Sequence, residues 1–232
     1  TGDDTAPVDY AEDVRDRSTT ARTEASPLIL DLDGDGLELS SISSKGAVFW
    51  DIDNDGMREV SGWVKSDDGL LAIDSNNNDE IDDHSELFGT ETVDGFTNLA
   101  VLDSNSDGVI DRKDDAFADL LVWRDLNQDG NSDPGELQDL DDAGVRSINL
   151  SSTAGTEEIA GNRVTHISTY TGTDGRTREI SDVWFTYDNV NSRAGGNLPF
   201  DPDSYGLPQL RGYGQLADLR TAMSQDAKLQ KL

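Results

Sequence analysis

Five short aspartate-rich segments dominate this sequence and set the main condition for its folding. They begin at Asp31, Asp51, Asp74, Asp103 and Asp125. Across 232 residues, 48 Asp and Glu face 18 Lys and Arg, so the formal net charge is −30, and only 34% of residues are hydrophobic. Carboxylates gathered in a compact body repel one another, and chains of high charge and low hydrophobicity tend not to fold alone. The sequence therefore predicts a fold that depends on bound cations.

The remaining composition narrows the classes of function. The sequence has no stripe of Lys and Arg, which argues against a nucleic-acid partner, and no long apolar run, which argues against membrane insertion. It contains no cysteine, so neither disulfides nor thiol chemistry are available. Its two histidines, His84 and His166, are far apart in sequence and predict no zinc site, so each is expected to be structural or exposed. Divalent cations held by oxygen ligands remain the simplest source of positive charge.

The loops at Asp103 and Asp125 follow the twelve-residue EF-hand pattern, with glycine at the sixth place for the sharp turn. Calcium takes roughly six to eight oxygen ligands. In the later loop the predicted ligands, with Asn131 through its carbonyl, are Asp125, Asn127, Asp129, Asn131, Asp133 and Glu136. In the earlier loop, which closes with a shorter acid, they are Asp103, Asn105, Asp107, Val109 through its carbonyl, Asp111 and Asp114. A solvated acidic turn is the alternative for both.

The other three loops match the pattern less well. In the third loop Asp79 stands where glycine belongs and the closing acid comes one place late, so the predicted ligands are Asp74, Asn76, Asn78, Asp82 and Glu86. The first two loops lack an acid at the twelfth place, where Ile42 and Gly62 stand. Their predicted ligands are Asp31, Asp33 and Asp35, and Asp51, Asp53 and Asp55 with Glu59 as a further oxygen donor. An acidic hairpin turn is the alternative. We expect four or five calcium ions in all, bound weakly, with dissociation constants on the order of 10⁻⁴ to 10⁻³ M.

The apolar pattern predicts an α+β fold in which short strands, hairpins and short helices surround the EF-hand-like loops. Strand-like runs flank the first three loops, and apolar residues at helical spacing predict helices over 114–123 and 136–143 around the last two. A strand over 145–150, a hairpin of 163–171 with 177–187, and a final helix over 215–223 follow. We divide the chain into a polar flank (1–26), a calcium-binding module (27–193) and a second linker with a short helix (194–232).

Several motifs together resemble the self-processing module of FrpC-like RTX proteins. They occur in the same order between Pro27 and Arg193: PLILDLDGDGLEL, WDIDNDGMREVSGWVKSDDGLLAID, SELFG, DSNSDGVID, VWRDLNQDGNSDPGEL and AGVRSINL. The resemblance implies a module of a large bacterial protein exported by type I secretion, which folds on meeting calcium outside the cell or at its surface. It also implies autocatalytic cleavage of an Asp-Pro bond, in which water or a lysine of an acceptor protein captures an aspartyl anhydride.

The sequence departs from that family at the bond itself, where Ser26 precedes Pro27. A serine has no carboxylate to form the anhydride, so the chain as written is predicted not to cleave there. Two other functions remain open. One is a purely structural calcium module of an adhesin or toxin. The other is a separate enzyme that uses a carboxylate pair, although calcium ligation explains the many carboxylate pairs better than acid–base catalysis does. Restoring the aspartate distinguishes self-processing from a structural role.

Overall fold

The computed structural model of the protein describes residues 22–194, 210, 212, 216, 219–225 and 228–229. Short antiparallel strands form most of this part of the chain. They are β1 (Arg22–Ala25), β2 (Leu28–Leu30), β3 (Leu39–Ser40), β4 (Val48–Trp50), β5 (Met57–Ser61), β6 (Trp63–Val64), β7 (Gly69–Ile73), β8 (Val109–Ile110), β9 (Leu120–Trp123), β10 (Leu137–Asp139), β11 (Val145–Asn149), β12 (Thr153–Ala154), β13 (Glu158–Ile159), β14 (Asn162–Gly172) and β15 (Thr177–Ala194). The described helices are α1 (Gly95–Leu99) and α2 (Leu219–Gln225), with 3₁₀ turns at His84–Glu86, Ala100–Leu102 and Phe117–Asp119.

The long strand β15 is the centre of the fold. The main sheet runs in the order β10-β9-β7-β2-β15-β14-β11-β8, and β1 and β5 also pair with β15. Strands β1 and β2 lie along the same edge of β15, with Ala25 opposite Phe185 and Leu28 opposite Asp182. The two residues between them, Ser26 and Pro27, are therefore held against the middle of the sheet.

Apolar residues pack on both faces of this sheet, which explains why several strands are continuous apolar runs. Leu28 and Leu30 point into one cluster with Phe96 and Tyr170, whereas Ile29 points into the other. That second cluster contains the three fully buried tryptophans of the fold, at positions 50, 63 and 123. Successive side chains of a strand alternate between faces, so one short run supplies both clusters.

The α+β assignment is wrong, because the described chain is mainly an antiparallel sheet with few helical residues. The predicted helix over 114–123 is a 3₁₀ turn followed by β9, which pairs with β7. The predicted helix over 136–143 contains β10, which pairs with β9. Helical spacing of Phe117, Leu120 and Leu121 was misleading, because Val122 and Trp123 bury readily in a strand and both faces of this sheet are covered.

Other expectations for the elements are confirmed. The hairpin of β14 and β15, the strand at 145–149 and the strands near the first three loops form as predicted. The polar flank over 1–26 ends in β1, while residues 1–21 lie outside the described part. Strand β15 continues to Ala194 through a stretch expected to be a loop, and residues 195–209 lie outside the described part. Helix α2 overlaps the predicted helix over 215–223, whose first residues are not all described.

Candidate functional site

The five aspartate-rich loops share one backbone frame. In the fifth loop the Asp125 carboxylate accepts the backbone N–H groups of Asp129 (3.1 Å) and Gly130 (2.9 Å), and the first aspartate of each other loop accepts two such bonds from its own loop. The fourth and sixth residues of every loop have positive φ. These residues are Gly34 and Gly36, Asn54 and Gly56, Asn77 and Asp79, Ser106 and Gly108, and Gln128 and Gly130. Asp79 therefore adopts the turn that glycine adopts elsewhere.

A later carboxylate closes each of the last three loops through the backbone. Glu136 accepts the N–H groups of Leu126 (2.8 Å) and Asp133 (3.1 Å), the second and ninth residues of its loop. Asp114 and Glu86 accept the bonds from the equivalent residues at 2.9 to 3.1 Å. Glu86 does so although it comes one place late, because the 3₁₀ turn at His84–Glu86 brings it back to its loop. The structure thus brings together the acids that the sequence assigned to these loops.

Four carboxylates converge in the second loop. Oxygens of Asp51, Asp53, Asp55 and Glu59 all lie within 4.8 Å of one another. Glu59 is 2% exposed, and among the described residues its Oε2 and Asp53 Oδ1 are buried without a hydrogen-bond partner. Burial, with the neighbouring charges, raises the pKa of Glu59 to about 8 and that of Asp51 to about 6. Orphaned, converging oxygens are the donor set that a hard cation such as calcium prefers.

The first loop is closed by Asp68, a residue that the sequence did not identify. Oxygens of Asp31, Asp33 and Asp68 lie within 4.8 Å of one another. Asp68 is fully buried and accepts the N–H groups of Leu32 (3.3 Å) and Glu38 (3.0 Å). Burial raises its pKa to about 7. Asp35, predicted as a ligand, is exposed and lies outside this convergent group.

In the last three loops, side-chain nitrogens already contact several predicted ligands. Asn127 Nδ2 donates to Asp133 (2.8 Å), and Asn78 Nδ2 donates to Asp82 (2.7 Å). Lys113 Nζ lies 3.1 Å from Asp107 and 2.9 Å from Asp111. Arg58 Nη1 donates to Asn131 Oδ1, whereas Asn76 is exposed. Ligation by Asn127 or Asn78 would therefore require the amide to present its oxygen instead.

The junction between β1 and β2 is the second part of the site. Ser26 and Pro27 are both buried, and the backbone holds them on both sides. Ser26 N donates to Thr90 O (3.2 Å), and Val183 N donates to Pro27 O (3.0 Å). The Ser26 hydroxyl donates to the Asp182 carboxylate.

Asp182 is fully buried and lies at the centre of a small polar network. Its Oδ1 accepts Gly95 N (2.8 Å), and its Oδ2 accepts Trp184 Nε1 (2.9 Å) and the Thr165 hydroxyl. His166 Nδ1 lies 3.5 Å from Oδ2. No sequence motif indicates Asp182, which is 156 residues from Ser26 and lies in an ordinary strand pattern.

Comparison with known proteins identifies the family of this chain. The model of the SPM domain family matches residues 28–186. This chain belongs to the SPM domain family. Over 205 residues it is 40% identical to "Iron-regulated protein FrpA" of Neisseria meningitidis serogroup C, a match that covers 84% of this chain and 18% of that protein. The likeness to FrpC-like self-processing modules is therefore confirmed, for a chain that spans less than a fifth of its relative's length.

Two more residues of the SPM domain face the Ser26 junction. His84, predicted to be structural or exposed, is buried, and burial lowers its pKa to about 4. Its ring lies beside the carbonyls of Ser26 and Gly89 without completing a hydrogen bond, so within the described chain neither ring nitrogen has a partner. Gly89 has φ +124°, and a Cβ there would collide with the Ser26 carbonyl and hydroxyl oxygens. His84 N also donates to Asp51 O (3.2 Å), which connects the junction to the second loop.

Helices in the described part of the SPM domain are too short to cross a membrane.

Proposed function

We propose that this SPM domain is a calcium-binding, calcium-dependent folding module of a large secreted RTX-type bacterial protein, with a self-processing junction that Ser26 leaves inactive. The observation that carries the proposal is the closing carboxylate present at every loop, together with the buried junction that the same sheet holds. Membership of the family supports the self-processing part. A purely structural calcium module is the alternative, and Ser26 is the observation that favours it.

Calcium is the cation best suited to these loops. The donor groups are carboxylates, amide oxygens and carbonyls, which are hard ligands typical of calcium sites. The residues that would hold it are the loop aspartates and asparagines with the closing acids Asp68, Glu59, Glu86, Asp114 and Glu136. Five divalent ions would reduce the net charge of −30 to about −20. When bound, calcium would supply the charge that lets these carboxylates pack together.

The junction chemistry depends on the residue at position 26. An aspartate carboxyl group can attack the carbonyl carbon of its own residue through one oxygen and close a five-membered anhydride as the bond to the Pro27 nitrogen breaks. Water or a lysine amine then opens the anhydride, which would make a lysine-bearing protein the acceptor. A serine hydroxyl attacking the same carbon would close a strained four-membered ring. The intact Ser26–Pro27 bond is therefore the expected state of this chain.

The decisive experiment restores the acid with Ser26→Asp and adds millimolar calcium to the full chain. We expect cleavage before Pro27, seen by mass spectrometry as two fragments, and capture of the new carbonyl end as a hydroxamate when hydroxylamine is present. Ser26→Ala with calcium, and Ser26→Asp with chelator, should both stay intact. A Ser26→Asp chain that folds with calcium yet remains whole would refute self-processing and favour the structural module.

A further inference from the structure

We propose that Asp182 carries the proton of the junction reaction, taking it from the side chain of residue 26 and delivering it to the Pro27 nitrogen. The inference rests on the proposed function, since it assigns a role within the self-processing step. Neither the loop motifs nor the family match places a residue in that role. The proposal stands on the geometry around Ser26.

The direction of the hydrogen bonds defines what Asp182 does. The Gly95 N–H and the Trp184 indole N–H can only donate, and they occupy one position on each carboxylate oxygen. The Ser26 hydroxyl donates to the same oxygen of Asp182 as Gly95 does, Oδ1. Asp182 is the acceptor for the residue 26 side chain, and both groups are fully buried. An aspartate at position 26 is one bond longer and would reach Asp182 with a carboxyl oxygen after a small rotation.

Fixed neighbours hold Asp182 in this position. Gly95 begins α1, and Thr165 and Trp184 lie on β14 and β15. Their three donors leave the carboxylate little freedom to turn away from residue 26. The charged and titratable groups that face it are His166 and Arg163 on β14. Asp94, which precedes Gly95, interacts with His166. A general base has to lie within hydrogen-bond reach of the proton that it removes, and Asp182 meets that condition.

The proton balance of the cleavage step follows. Asp182 removes the proton of the residue 26 carboxyl as a carboxyl oxygen forms its bond to the carbonyl carbon of the same residue. The bond from that carbon to the Pro27 nitrogen breaks, and the nitrogen leaves with its electron pair. Asp182 then returns the proton to the nitrogen, which becomes the secondary amine of proline. No other reactant is consumed, and Asp182 ends as it began.

Gly89 and His84 lie next to the carbonyl of residue 26. Any side chain at position 89 would displace the residue 26 carbonyl, because a Cβ there collides with it. The His84 ring lies beside the same carbonyl. His84 is thus the rival group for handling the proton, and the experiment has to separate it from Asp182.

The test uses the full chain with Ser26→Asp, with and without Asp182→Asn, in saturating calcium. General acid–base groups contribute roughly 10²- to 10⁴-fold to a rate, so we expect Asp182→Asn to slow cleavage by at least about a hundredfold. The calcium titration followed by tryptophan fluorescence should stay within about twofold. Glu179→Gln is the matched control. Glu179 is a carboxylate on the same strand, and within the described residues its side chain accepts a hydrogen bond from the Ser181 hydroxyl. That variant should cleave at the parent rate.

The outcomes separate the two proposals. If Ser26→Asp alone does not cleave, the self-processing part of the proposed function fails, and the role of Asp182 fails with it. If it cleaves and Asp182→Asn cleaves equally fast, only the role of Asp182 is overturned, and the same holds if His84→Gln abolishes cleavage while Asp182→Asn does not. Should Asp182→Asn fail to fold, Thr165→Val keeps the carboxylate but removes one donor that orients it. Cleavage should then slow roughly tenfold with an unchanged calcium midpoint, and an unchanged rate would count against the proposal.

Discussion

Three buried carboxylates in this protein have strongly raised pKa values. The pKa of Asp51 is raised to about 6, that of Asp68 to about 7 and that of Glu59 to about 8, in each case chiefly by burial. Burial disfavours a charge that water no longer solvates, and like charges nearby add to the effect. A proton or a cation can relieve the same penalty. Calcium and protons should therefore compete for these groups.

Glu59→Gln tests that competition at one position. Without calcium at pH 8, the variant should be more stable than the parent, on the order of 2 kcal/mol, because a neutral amide replaces a buried carboxylate whose ionisation is disfavoured. With calcium, the same change should weaken the second loop about tenfold or more, because one of four carboxylates is lost. Urea unfolding in chelator and calorimetric calcium titration measure the two effects.

The control for Glu59→Gln is Glu157→Gln, the same chemical change at an exposed position. It should alter stability by less than about 0.5 kcal/mol and leave calcium binding unchanged. A Glu59→Gln chain that loses stability in chelator would show that the Glu59 carboxylate is stabilised in the fold by something other than a cation.

At the level of elements, contacts within one loop could be predicted from the sequence, whereas contacts formed by strand pairing could not. The loop frame follows from residues within twelve positions, so Asp125, Glu136 and even the displaced Glu86 were found. Asp68 and Asp182 were missed because strand pairing carries them to the first loop and to Ser26 from distant parts of the chain. The stretch ending at Trp123 has apolar spacing that suits a helix or a strand buried on both faces. This stretch forms a strand because it pairs with β7. Since β7 is distant in sequence, the local pattern could not show this pairing.

Three strands meet at a tryptophan cluster that contacts the fifth loop. The rings of Trp50, Trp63 and Trp123 lie 5.0 to 5.6 Å apart, centre to centre. Trp63 Nε1 donates to Asp125 Oδ2 at 2.7 Å. The first aspartate of the fifth loop is thereby oriented from the core, on β6, as well as by its own loop. Tryptophan fluorescence should consequently report on this loop.

Trp63→Phe should weaken calcium binding at the fifth loop about tenfold. It keeps an aromatic ring but removes a hydrogen bond to a charged group, a loss of roughly 1.5 to 3 kcal/mol. Trp50→Phe is the matched control, since in the described chain its indole nitrogen is buried without a hydrogen-bond partner. Both variants lose similar packing, so calorimetric titration isolates the bond. Equal calcium affinities in the two variants would mean that Trp63 does not orient Asp125.

For the whole molecule, a backbone contact links the second acidic loop to the Ser26 junction. The chain closes its sheet around acidic loops while carrying a net charge of −30. His84 connects the backbone of the second loop to the wall of the Ser26 site. Disorder in that loop would therefore release one side of the junction, so the proposed processing should depend on calcium. Folding and junction geometry should respond to the same titration.

The last prediction is that protons can take the place of calcium in stabilising the whole fold. The folded-state pKa values of Asp68 and Glu59 lie above their ordinary values, so the folded chain binds more protons than the unfolded chain. Without calcium, the free energy of unfolding should therefore increase as pH falls from 8 to 6.5, and decrease as pH rises through the pKa values near 7 and 8. His84 works in the opposite direction, because its pKa of about 4 leaves it neutral in the fold while the unfolded imidazole starts to bind a proton near pH 6.5; its effect is therefore small in this range and grows at lower pH. In saturating calcium the trend should flatten or reverse, since protons then displace the ion. Urea unfolding at the two pH values, in chelator and in calcium, gives the four free energies; a calcium-free chain that is more stable at pH 8 than at pH 6.5 would contradict the coupling.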